Sequence, residues 1–99
     1  METTSTVLIV EDEEIEREAL KMMITFSGQK IEKVLGCANS IEALEICQKE
    51  HPDLIFMDIN LPGISGIETI RQIKEKYDDI TFVIVSAYNQ FIYAQEGLK

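Results

Sequence analysis

Three places in this sequence put oxygen-bearing side chains directly after apolar runs. "TVLIV" (6–10) is followed by Glu11 and Asp12, "LIFM" (54–57) by Asp58, and "TFVIV" (81–85) by Ser86 and Ala87. Singly, each has a plain explanation: acids suit the first turn of a helix, and an aspartate or serine can meet water where a strand ends. Together they ask for one arrangement that brings three run-ends to the same edge. Carboxylates crowded there repel one another, and at least one pKa rises unless a cation neutralises them. A hard divalent ion with oxygen ligands suits the set. Mg2+ suits it better than Ca2+, because only two or three carboxylates are on offer and no loop of alternating acids occurs. A carboxylate beside Mg2+ can attack phosphorus in line to give an acyl phosphate. A hydroxyl such as Ser86 can hydrogen-bond a phosphoryl oxygen, and the small Ala87 leaves the group room to enter.

The hydrophobic periods say which elements would position these residues. The run 6–10 is short, continuous and β-branched, as in a strand buried on both faces. From Glu13 the period becomes helical through Ile15, Ala19, Met22, Met23 and Phe26, with Gly28 as the stop. "KVLGCA" (33–38) predicts a second strand. Asn39 with Glu42 forms a capping pair that opens a helix striped by Ile41, Leu44 and Cys47 and broken at His51-Pro52. "DLIFMD" (53–58) predicts strand three. Gly66 leads into a helix with Ile67, Ile70 and Ile73 on one face and Arg71, Lys74 and Glu75 outside. "ITFVIVS" (80–86) predicts strand four, and residues 89–99 a fourth helix. Alternation without hairpin signals implies right-handed βαβ crossovers and a doubly wound parallel α/β sheet. In such sheets, sites form outside the carboxyl ends of the strands at the switch point, where Glu11, Asp12, Asp58 and Ser86 would lie.

Ninety-nine residues, 45% of them hydrophobic, make one domain with a core and no room for a second. Eighteen acids against nine bases give a formal charge of −9. With no basic stripe, the chain alone is not expected to bind nucleic acid or an anionic membrane. Cys37 and Cys47 form no CxxC pair and read as buried free thiols of a reducing compartment. The N-terminal apolar run is too short for a signal peptide or a membrane span, so a cytoplasmic protein is expected. His51, before Pro52, reads as a solvated loop histidine. No P-loop or GxGxxG supports nucleotide binding.

"VLIVEDEE", "DLIFMDINLPGISGIE" and "VIVSAY" resemble, in order and spacing, the motifs of response-regulator receiver domains of two-component signalling. The resemblance runs from about Thr6 to the last residue. It implies a flavodoxin-like sheet of order 2-1-3-4, with Asp58 as phosphoacceptor and a sensor histidine kinase as phosphoryl donor. It further implies Asp12 as the direct Mg2+ ligand, Glu11 as the more peripheral acid, and the main-chain carbonyl of Asn60 as a ligand. Ser86 matches the hydroxyl that answers the phosphoryl group, followed by Ala87 as the small residue. Pro62, Gly63 and Gly66 match the turn into helix three. "SAYNQFIYA" resembles receivers that precede AraC-type DNA-binding domains, which implies DNA as the target of an output domain and a transcriptional role; Tyr88, Phe91 and Tyr93 also read as packing residues.

The family has a fifth strand ending in a lysine that contacts the phosphoryl group, and this sequence ends at Lys99, in or just after helix four. The expectation is therefore a single receiver domain, residues 1–99, truncated before the fifth βα unit. Strand four would then be an open edge, with self-association or domain swapping as its consequence. Two competing functions follow from the same sheet. One is an interaction or dimerisation module that takes no phosphoryl group. The other is a haloacid-dehalogenase-type phosphatase, which needs a second acid two residues after the nucleophile; Asn60 stands there instead.

Overall fold

The computed structural model describes residues 5–85. Strand β1 (Ser5–Val10) leads to helix α1 (Glu14–Thr25), β2 (Ile31–Cys37), α2 (Ser40–Glu50), β3 (Leu54–Asp58), α3 (Gly66–Lys76) and β4 (Thr81–Val85). The four strands form one parallel sheet of order β2-β1-β3-β4. The parallel sheet is what the alternation of periods predicts, and its order is the flavodoxin-like one that the resemblance implies. The predicted helix at 89–99 lies outside the described residues.

β1 sits centrally, and Val7 to Val10 are buried on both of its faces, which is why that stretch is apolar without alternation. Leu8, Val10, Cys37, Ile55 and Met57 pack with Ala43 and Cys47 of α2 and Ile73 of α3 into the main core. Both cysteines are buried free thiols, as expected. The Asn39 side chain accepts the Glu42 amide at 2.9 Å, and the Glu42 carboxylate returns to the Ala38 amide at 3.0 Å. Ser65 caps α3 in the same way by accepting the Glu68 amide at 3.2 Å. On the outer face of α3, Arg71 pairs with both Glu68 and Glu75.

α1 departs from the sequence reading. The residues that set its helical period point outward: Ile15 is 84% and Phe26 79% exposed, and Met22 and Met23 are exposed as well. The half-buried positions are Arg17, Leu20, Lys21 and Ile24, spaced three and four apart on the opposite side. Long basic side chains can cover apolar surface with their stems while keeping their charges wet. A face built that way does not register as hydrophobic periodicity.

Candidate functional site

Parallel register brings the first two acidic segments together. Val10 pairs with Met57 across β1 and β3, so the next residues, Glu11 and Asp58, leave the sheet side by side. This is the switch point, since the chain runs from β1 to β2 on one side and returns to β3 on the other. Carboxylate oxygens of Glu11, Asp12 and Asp58 all lie within 4.8 Å of one another. Glu11 is only 3% exposed and Asp58 9%, whereas Asp12 faces solvent.

Glu11 is held on three sides. Its amide donates to the Cys37 carbonyl at 3.0 Å, extending the β1–β2 ladder by one residue. Its carboxylate accepts the Glu13 amide at 3.0 Å. Its carbonyl accepts from the Arg17 guanidinium at 2.7 Å. Burial pushes the Glu11 carboxyl up to about 7, the Glu13 amide opposes the rise, and the charges of Asp58 and Glu16 and the contact with Asp12 add to it. Burial leads the rise, and the neighbouring carboxylates add a smaller share to it. A hard divalent cation with oxygen ligands would relieve it, so the donor set fits Mg2+.

Asp58 ends β3 with one carboxylate oxygen accepting the Asn60 amide at 3.0 Å. The turn behind it is tight. Gly63 takes a left-handed φ of 77°, and Gly66 lies so close to β3 that a Cβ there would sit 2.2 Å from the Asp58 carbonyl oxygen. Any larger residue at 66 would displace the peptide that carries Asp58. Pro62 and Asn60 are exposed on this turn.

Of the residues expected to act, Glu11, Asp12 and Asp58 are brought into one cluster, with Asn60 two residues beyond Asp58. Ser86 and Ala87 lie outside the described residues; β4 pairs Val85 with Asp58. His51, exposed as expected, caps α2 in a left-handed conformation and contacts Asp79 at 3.2 Å, away from the cluster. Arg17 was assigned no role from sequence. Its contact with Glu11 joins α1 to β1 through the fold, and six residues of separation give no local signal for it.

A family model for the response regulator receiver domain matches residues 7–99. The chain is similar to the transcriptional regulatory protein YdfI of Bacillus subtilis, 38% identical over 94 residues, which is 94% of this chain and 43% of YdfI. It is also similar to the polar-differentiation response regulator DivK of Brucella ovis, 36% identical over 87 residues, or 86% of this chain and 68% of DivK. Among solved structures, the response regulator domain of Thermotoga maritima CheB superposes with a TM-score of 0.76 at 32% identity, covering 85% of this chain and 61% of that one. A two component transcriptional regulator AraC from Clostridium phytofermentans gives a TM-score of 0.79 at 27% identity, covering 91% and 73%. The chain spans less than half the length of YdfI.

Proposed function

This chain belongs to the response regulator receiver domain family, and from that premise we propose that Asp58 takes a phosphoryl group from a sensor histidine kinase in an Mg2+-dependent reaction. The observation that carries the proposal is the convergence of Glu11, Asp12 and Asp58 at the carboxyl ends of β1 and β3, with oxygens within 4.8 Å. In this reading Asp12, Asp58 and the Asn60 carbonyl hold the ion directly, and Glu11 supports it from the edge. When bound, Mg2+ offsets negative charge on the transferring group.

The chain's own residues do the rest. The Asn60 amide fixes one Asp58 oxygen, leaving the second free for in-line attack. A carboxylate oxygen–phosphorus bond forms as the bond from phosphorus to the donor's imidazole nitrogen breaks, giving an acyl phosphate on Asp58. Ser86 answers the phosphoryl oxygens and Ala87 leaves them room. The transcriptional relative YdfI supports an output through DNA, made by a separate domain and not by this acidic one. The reading is of a cytoplasmic signalling module; among the described residues no helix is long and apolar enough to cross a membrane. It includes self-association along β4, the edge strand among the described residues, where Val83 and Ile84 are exposed. Light scattering that finds only monomer at every concentration contradicts that part.

The phosphoacceptor assignment is tested by adding a beryllofluoride phosphate mimic with Mg2+ and recording amide resonances. Shifts centred on Glu11, Asp58 and Asn60 are expected. An unchanged spectrum contradicts the assignment and favours an interaction module of the same fold.

A further inference from the structure

Gly36 stands inside β2, paired with Ile9 of β1. Glycine weakens a strand interior, and its presence there calls for a reason. Backbone conformation is not the reason, because the glycines with positive φ are Gly28 and Gly63. Space is. A Cβ at position 36 would meet Arg17 Cδ at 3.1 Å and Cγ at 3.3 Å, and the third nearest atom also belongs to Arg17. The stem of Arg17 therefore crosses β2 at the one residue that leaves it room, and its guanidinium reaches the Glu11 carbonyl at 2.7 Å.

The partner is a backbone carbonyl although carboxylates stand nearby. Glu13 and Glu14 stand four and three residues before it, the spacing at which helical ion pairs form. Among the described residues Arg17 nevertheless makes no ion pair. It donates to a neutral carbonyl instead. That carbonyl shares a rigid peptide plane with the amide of Asp12. Holding the oxygen fixes the plane, and the plane sets the direction in which Asp12 leaves β1.

We propose that Arg17 is a positioning residue for the cation site, aiming Asp12 through the Glu11–Asp12 peptide, and that Gly36 is the slot its stem requires. This rests on the reading of Glu11, Asp12 and Asp58 as an Mg2+ site. Outer partners of metal ligands cost roughly 10- to 100-fold in affinity when removed. Arg17→Met keeps the apolar stem and loses the donor. Gly36→Ala keeps the donor and crowds the stem.

The test is a Mg2+ titration of the full chain followed by amide resonances, run on the wild type, both single variants, the double variant and Arg17→Lys. Arg17→Met is expected to weaken Mg2+ about 10-fold and to move the Asp12 amide before any metal is added. Gly36→Ala should weaken Mg2+ in the same direction, the double variant should be no weaker than Arg17→Met, and Arg17→Lys should recover part of the loss. Unchanged Mg2+ affinity in Arg17→Met, or losses in the two single variants that multiply in the double, overturns the positioning role while leaving the site itself standing. A wild type that shows no Mg2+-dependent shifts overturns the functional reading and this inference with it.

Discussion

Replacing Glu11 with glutamine keeps the shape of the side chain and its acceptor for the Glu13 amide, and removes only the charge. In the folded protein the Glu11 carboxyl is raised from 4.5 to about 7, chiefly by burial. Each tenfold change in proton affinity is worth about 1.4 kcal/mol, so the ionised group costs the folded state about 3 kcal/mol. The sign follows from which state holds the proton more tightly. The folded state does, so what Glu11 contributes to stability is fully present below pH 4.5 and is lost as pH rises through 7. Urea unfolding of the two proteins across that range should therefore diverge. Glu11→Gln is expected to match the wild type near the acid end and to be more stable by about 3 kcal/mol at pH 8. Mg2+ added at pH 8 should stabilise the wild type more than the variant, because the wild type has the additional buried charge of Glu11 to neutralise. Parallel stability profiles from acid to pH 8 would mean that the buried carboxyl carries no such penalty.

Gly66→Ala should destabilise by about 2 kcal/mol or more, because its Cβ would fall 2.2 Å from the Asp58 carbonyl; thermal unfolding reads the loss, and shifted Asp58 and Asn60 amides read the displacement of the turn after β3. Cys37 and Cys47, whose thiols burial pushes up to about 12 and about 11, should resist alkylation at pH 8 in the native protein and react only in urea. Modification at the native rate of an exposed thiol contradicts their placement in the core.

What could be read from the sequence follows from where each signal originates. β1 announces itself because burial on both faces demands an unbroken apolar run, β3 because Ile55 and Met57 are buried and Leu54 and Phe56 half-buried, and their ends come together because a parallel sheet aligns them. The Asn39–Glu42 cap is local, with donors and acceptors three and four residues apart, so it too is legible in the sequence. α1 was legible as a helix but not in orientation: Ile15, Met22 and Phe26 carry the period and face outward, while Arg17 and Lys21 share the inner face with Leu20 and Ile24. Ser65 caps α3 from just before Gly66, whose turn signal masks the helix start in the sequence. The Arg17–Gly36 contact joins residues 19 positions apart on different elements, and no periodicity or spacing encodes it. The roles of Ser86 and Ala87 rest on sequence alone, since both lie outside the described residues.

Phosphorylation addresses the proposed acceptor role of Asp58 without intermediaries. Wild-type protein and Asp58→Asn are incubated with a small phosphodonor, with Mg2+ and with a chelator, and intact mass is recorded. One added phosphoryl group is expected on the wild type with Mg2+, and none with the chelator or on Asp58→Asn. Equal phosphorylation of Asp58→Asn would contradict that role.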